Sequence, residues 1–152
     1  MTPTQRLAEL GLTLPEVARP VAAYVPAVRS GALVWTSGQL PFVHGTLAAT
    51  GKVGAEVDPA EAVELARICA LNALAAISAE VGDLAAVRRI VKVVGYVASA
   101  PDFSGQPQVI NGASDLLGQV FGDAGAHARS AVGVAVLPLD APVELEIVAE
   151  VA

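Results

Sequence analysis

The chain has 152 residues, of which 54% are hydrophobic and 16% are charged, and its formal net charge is −6. Nine Lys and Arg stand against fifteen Asp and Glu. They form no basic stripe, which argues against a nucleic-acid partner. No apolar run reaches the roughly 18–20 residues that span a bilayer, so no membrane partner is expected.

We expect one domain over residues 1–152, because this length is typical of a single core. The polar first fourteen residues indicate no signal peptide. The lone cysteine, Cys69, cannot form an internal disulfide. Both features predict a cytoplasmic protein. The apolar surplus predicts a subunit interface, and hence a homo-oligomer.

Hydrophobic periodicity and turn residues predict a short N-terminal helix followed by the order ββαβαββ. This order favours an α+β sandwich with helices on one face of a mixed sheet. The predicted elements are, in chain order, a helix to Leu10 within an N-terminal extension of residues 1–20, strands at Val21–Val28 and Ala32–Leu40 around a turn at Arg29–Gly31, a loop with a short strand piece over residues 41–57, a helix from Asp58 to about Glu80, a strand at Arg89–Ser99, a helix at Pro107–Phe121, and strands at Ala128–Leu137 and Val143–Val151.

The start of the central helix carries the clearest local signal. Asp58 is expected to cap the free amides, Pro59 suits the first helical position, and Glu61 can reach back as in a capping box. Cys69 lies on the apolar stripe of this helix, which predicts a packed thiol rather than a nucleophile.

The strand around Arg129 has two unlike sides. We expect its valine side to be buried in the core of its own subunit, and its small-residue side to be approached closely by a second surface. Arg129 projects into that gap. There it either binds an anion bidentately or forms a structural ion pair with Glu144 or Glu146 of the next strand. The valine side is Ser130, Val132, Val134 and Val136, and the other side is Arg129, Ala131, Gly133 and Ala135.

Few other positions suit chemistry. His44 and His127 are isolated and one cysteine makes no thiolate cluster, so no metal site is expected. The glycines match no phosphate-binding fingerprint, and no serine lies in a nucleophile elbow. The remaining candidates are Tyr24, the turn Thr36–Pro41, and the carboxylates of Glu144 and Glu146.

Several motifs together resemble the Rid family of reactive intermediate deaminases, which is YjgF-type. Two of them, Ser-Gly-Gln-Leu-Pro and Ala-Arg-Ser-x-Val-x-Val-x-x-Leu-Pro, are specific in combination. The resemblance spans about residues 22 to 151. Its residues are Tyr24, Trp35–Pro41, Asn111, Ala128–Val132, Leu137-Pro138 and Val143–Glu146.

The resemblance implies a chorismate-mutase-like sandwich, with a mixed, mainly antiparallel sheet and two helices on one face. It implies a homotrimer with clefts between subunits. The implied activity is that of a 2-iminobutanoate/2-iminopropanoate deaminase, a hydrolase that converts 2-enamine or 2-imine acids such as 2-aminoacrylate to 2-keto acids and ammonia. No metal or organic cofactor is implied, and the implied partner is a small imino or keto acid.

The same resemblance implies roles for single residues. Arg129 holds the substrate carboxylate, and Glu144 positions or deprotonates the attacking water. Tyr24 closes the cleft from a neighbouring subunit, and Asn111 orders the cleft wall. The implied substrate-binding set is Tyr24, Ser37, Gly38, Asn111 and Arg129.

Departures from the family pattern indicate a divergent subgroup. His127 stands where the family has proline before Ala-Arg-Ser, and Ala131 stands where cysteine is common. Two alanines precede Tyr24 in place of Gly-Pro. Residues 1–20 and the longer loop over residues 44–57 are additions to the family pattern.

Two alternatives to the deaminase stay open. A non-catalytic trimer that senses or sequesters 2-keto acids needs Arg129 but not Glu144. An RNA-acting protein is the other alternative, because family members carry endoribonuclease and translation-inhibitor labels. The acidic balance weighs against RNA.

Overall fold

The described part of the chain forms a five-stranded sheet, a two-stranded hairpin and three α-helices. The computed structural model describes residues 1–17, 20 and 22–152. The strands are β1 (Ala27–Ser30), β2 (Leu33–Thr36), β3 (Phe42–Val43), β4 (Thr46–Leu47), β5 (Val87–Ala98), β6 (Ala128–Val134) and β7 (Val143–Val151). The helices are α1 (Pro3–Glu9), α2 (Pro59–Val81) and α3 (Gln106–Phe121).

The main sheet has the strand order β1-β2-β7-β5-β6. Only β5 and β6 run parallel in it, and the other neighbours are antiparallel. Helices α2 and α3 pack against each other and cover one face of the sheet, and α1 packs against α3. We call the uncovered face the open face. The α+β class and the mixed, mainly antiparallel sheet with two helices on one face are confirmed.

Capping residues set the helix ends. Thr2 begins α1, where its side chain accepts a hydrogen bond from the amide of Gln5 in a capping box. Asp58 has the extended backbone of an N-cap, but its side chain makes no capping bond, so that prediction is wrong. Gly82 and Gly122 end α2 and α3 with positive φ angles of 91° and 61°.

Three predicted strands are longer than the structure allows. The predicted strand over Val21–Val28 begins only at Ala27, and Val21 lies outside the described residues, as do Ala18 and Arg19 of the N-terminal extension. Strand β2 ends at Thr36, and β6 ends at Val134. After β2 the pairing with β7 is interrupted at Ser37 and Gly38 and resumes at Gln39, which bridges Leu145.

Helix α3 lies unusually close to the sheet and to α2. A Cβ added at Gly95 of β5 would lie 2.4 Å from Cδ1 of Ile110. One added at Gly112 of α3 would lie 2.0 Å from the backbone oxygen of Val63. Only glycine permits this approach, and the approach places α3 directly over the edge strand β6.

The predicted burial of the valine side of β6 is wrong. Val132 and Val136 are 44% and 62% exposed, and Lys92 on the open face donates a hydrogen bond to Ser130. The small-residue side faces α3 instead, where a Cβ at Gly133 would lie 2.7 Å from Nε2 of Gln106. The covering helix requires small residues beneath it, so the bulkier side is left on the open face.

Helix α2 is long and apolar enough, by length and composition, to cross a membrane. However, 61% of its most apolar window is buried inside the protein. Its contacts with β7, β2 and α3 account for that burial. The composition of α2 is therefore that of a core helix.

Candidate functional site

Arg129 is held by α3. Its Nη1 donates to Oδ1 of Asn111 at 2.7 Å and to Oγ of Ser114 at 3.2 Å. These two partners lie three residues apart and therefore share one face of the helix. The small residues of β6 beneath α3 bring the guanidinium within reach of that face.

Two residues that the sequence analysis did not assign complete this cluster. Nε2 of His127 lies 2.9 Å from Oγ of Ser114, and Nδ1 of His127 lies 2.7 Å from the carbonyl oxygen of Gly125. The spacing of Asn111 and Ser114 was the available signal for Ser114. We call Asn111, Ser114, His127 and Arg129 the arginine half-site.

The predicted ion pair of Arg129 with Glu144 or Glu146 is wrong. Strand β5 lies between β6 and β7, so the arginine and the two carboxylates are not on neighbouring strands. Glu146 instead accepts a hydrogen bond from the Tyr96 hydroxyl at 2.9 Å. Arg129 thus has no carboxylate partner among the described residues.

Glu144 lies in a second cluster at the start of β7. A Cβ at Gly38 would lie 2.0 Å from Oε1 of Glu144, so the carboxylate passes directly over the glycine backbone. Burial and, to a smaller extent, the charge of Glu146 raise the pKa of Glu144. A raised carboxyl pKa makes the ionised Glu144 a better proton acceptor than an ordinary glutamate.

The turn after β2 positions the rest of this cluster. The Ser37 hydroxyl donates to the carbonyl oxygen of Val25 at 2.6 Å, and the Ser37 amide donates to the carbonyl oxygen of Pro26 at 2.8 Å. These bonds tie the segment carrying Tyr24 to the turn, and the Tyr24 side chain is 49% exposed. We call Tyr24, Ser37, Gly38 and Glu144 the glutamate half-site.

A single chain keeps the two half-sites apart. Arg129 pairs with Val93 of β5 on the helix-covered face, whereas Glu144 pairs with Tyr96 on the open face. Two strand spacings separate β6 from β7, which is about 10 Å. Arg129 and Glu144 therefore point to opposite faces and cannot touch one ligand within one chain.

Other candidate chemistry is not assembled in the described residues. Cys69 is buried and its thiol lies 3.7 Å from the carbonyl oxygen of Val143. Burial, with a smaller contribution from Glu144, raises the pKa of Cys69 well above its usual value, so it is a packed thiol. No group of three or more His, Cys, Asp or Glu suited to a metal occurs in the described ranges.

Residues 4–151 match the YjgF/chorismate mutase-like family, which is described as "putative endoribonuclease". The chain belongs to this family. This YjgF-family chain is 45% identical to Protein TCP17 of Trypanosoma cruzi over 145 residues. The aligned region covers 95% of this chain and 91% of the relative.

Two solved structures share the fold. The protein Atu1372 of unknown function from Agrobacterium tumefaciens is 48% identical with a TM-score of 0.93, covering 99% of this chain and 94% of that one. Escherichia coli TdcF, solved with bound serine, is 29% identical with a TM-score of 0.61, covering 91% and 94%. The family resemblance seen in the sequence is confirmed.

Proposed function

We propose that this chain hydrolyses 2-imino and 2-enamino acids, 2-aminoacrylate among them, to 2-keto acids and ammonia. The observation that carries the proposal is the pair of complementary half-sites. One presents an arginine that has no carboxylate partner in the described part of the chain, and the other presents a carboxyl group with a raised pKa beside an open glycine backbone.

The arginine half-site suits a small carboxylate. Two N–H groups of Arg129 are used by α3, and the remaining ones are available for a bidentate pair with a ligand carboxylate. The serine bound to TdcF is a small ligand that carries a carboxylate group. Asn111 forms the wall that holds the guanidinium.

The glutamate half-site suits water activation. Glu144 takes a proton from water as the water oxygen bonds to the imine carbon. The electron pair of the C=N bond moves to nitrogen, which takes that proton from Glu144 and becomes an amine. Glu144 then passes the hydroxyl proton of the tetrahedral carbinolamine to this nitrogen, so the C–N bond breaks, ammonia leaves and the keto group forms. Ser37 and Gly38 contact the substrate, and Tyr24 closes the cleft.

The cleft is assembled between copies of this chain in a homotrimer. Because Arg129 and Glu144 face opposite ways, each cleft needs the arginine half-site of one subunit and the glutamate half-site of its neighbour. The open face supplies an apolar surface for that contact, and it includes Val28, Trp35 and Val132. A single buried cysteine fits a reducing cytoplasm.

A binding module for 2-keto acids is the second candidate. Asn111 and Ser114 of the arginine half-site hold Arg129 through hydrogen bonds that do not involve Glu144, so ligand capture does not require ionised Glu144. The endoribonuclease description of the family is the reason to test RNA as well. The net charge of −6 disfavours RNA binding.

The test is acceleration of imine hydrolysis, with imines generated in situ from several L-amino acids by an amino-acid oxidase. Wild type accelerates hydrolysis in a side-chain-dependent way. Arg129→Ala abolishes both this acceleration and the binding of 2-oxobutyrate. Glu144→Gln keeps 2-oxobutyrate binding and lowers turnover about 100-fold.

Matched controls are Arg88→Ala, an exposed arginine of β5, and Glu150→Gln on the same strand as Glu144. Both controls should behave as wild type. Normal 2-oxobutyrate binding by Arg129→Ala would contradict the carboxylate role. An inactive wild type that still binds 2-oxobutyrate would favour the binding module.

A further inference from the structure

A chain of hydrogen bonds runs from the backbone to Arg129. It begins at the Gly125 carbonyl, passes through both ring nitrogens of His127 and the hydroxyl of Ser114, and ends at Nη1 of Arg129. The three contacts measure 2.7, 2.9 and 3.2 Å. His127 and Ser114 come from different elements, so the tertiary fold creates this chain.

The chemistry of the groups fixes the direction of every bond in the neutral form. A carbonyl oxygen only accepts, so Nδ1 of His127 carries the hydrogen. Nε2 of a neutral ring is then an acceptor, and the Ser114 hydroxyl donates to it. The lone pairs of Ser114 Oγ are left to receive an N–H of Arg129.

The consequence for the guanidinium is geometric. Both hydrogens of Nη1 are engaged, one by Asn111 and one by Ser114. The described residues place no hydrogen bond on Nε or Nη2 of Arg129. The edge formed by Nε–H and Nη2–H is the pair of parallel donors that matches a carboxylate.

We propose that His127 and Ser114 are positioning residues that lock Arg129 so that its Nε–Nη2 edge faces the ligand. The use of this edge for a carboxylate rests on the proposed function. The guanidinium is pre-organised because its rotation is fixed before the ligand arrives. Binding therefore loses less side-chain conformational entropy. Neither residue touches the ligand in this arrangement.

The tautomer of His127 is the first measurement. A long-range ¹⁵N–¹H correlation spectrum of the full-length protein is recorded at a pH where the ring is neutral. The two histidines of the chain are assigned with His127→Phe and His44→Gln. The expected result is hydrogen on Nδ1 of His127. Hydrogen on Nε2 overturns the inference.

The second measurement is a double-mutant cycle on 2-oxobutyrate affinity. Ser114→Ala and His127→Phe each weaken binding about fivefold, which corresponds to about one hydrogen bond. The double variant binds no more weakly than the weaker single variant, because both act through one chain. Ser114→Thr keeps the hydroxyl and restores affinity, and His44→Gln is the matched histidine control.

The outcomes separate the inference from the function on which it rests. A wild type that binds 2-oxobutyrate, with unchanged or additive effects of the two variants, overturns the positioning role alone. A wild type that binds no 2-oxobutyrate overturns the proposed function and this use of the arginine edge together. Coupled losses with an Nδ1–H tautomer support both.

Discussion

The environment of Glu144 affects both the free energy of unfolding and the protonation of its carboxyl group. Burial and Glu146 raise its pKa, so its carboxyl binds a proton more tightly in the folded chain than in the unfolded one. Its stabilising contribution is therefore complete below the ordinary glutamate pKa and is lost as pH rises through the raised pKa. Above the raised pKa the ionised group opposes folding.

Replacing Glu144 with glutamine should therefore raise the unfolding temperature at pH 7 and leave it nearly unchanged near pH 4. The amide has no charge to desolvate, so the difference between the variants grows with pH. Thermal unfolding at fixed protein concentration measures this. Glu64→Gln, an exposed glutamate of α2, controls for loss of a negative charge. A stability gain that is equal at both pH values would contradict the account.

At the scale of elements, the close crossing of α2 and α3 holds the arginine half-site over β6. Gly112→Ala should destabilise the fold by about 1–3 kcal/mol, because the new Cβ meets the backbone oxygen of Val63, which no side-chain rotation relieves. The matched control is Gly118→Ala on the same helix, where nothing lies within 4 Å of the new atom. It should stabilise by about 0.5–1 kcal/mol.

Urea unfolding of the two variants measures the change in the free energy of unfolding, which should fall for Gly112→Ala and rise for Gly118→Ala. A destabilised Gly112→Ala should also bind 2-oxobutyrate more weakly, since α3 carries Asn111 and Ser114. Equal effects of the two substitutions would show that helix propensity, and not the crossing, sets the cost at Gly112.

The sequence predicts the helices better than the faces of the strands. Gly82 and Gly122 mark helix ends through local backbone geometry, so α2 and α3 end where expected. The orientation of β6 depends on which surface covers it. Small residues such as Ala131 and Gly133 indicate that another surface packs closely against this side of β6. The sequence does not show that this surface is α3 of the same chain.

The site is also hard to predict from sequence, because its contacts join residues that are far apart in the chain. Glu144 and Gly38 carry family motifs, but their contact depends on the turn after β2 meeting the start of β7. The bond between His127 and Ser114 joins the turn before β6 to α3. The local sequence pattern around His127 or Ser114 does not predict that hydrogen bond.

At the scale of the whole molecule, the separation of the half-sites makes assembly a condition for the proposed activity. In one chain Arg129 lies under α3, and Glu144 lies on the open face two strands away. Exposed Trp35 and Val132 leave the open face apolar, which suits burial against a second copy. We therefore predict a trimer of three 15.3 kDa chains with three composite clefts.

The most direct test of this composite cleft is complementation between two inactive variants. Arg129→Ala and Glu144→Gln chains are co-expressed with different tags, and mixed trimers are purified on both tags. Clefts that combine the intact Arg129 of one subunit with the intact Glu144 of its neighbour should be active. Every mixed trimer has one such cleft among its three, which gives about a third of wild-type turnover. Each variant alone, purified in parallel, should stay inactive. Mixed trimers with no more turnover than the separate variants would contradict the shared cleft.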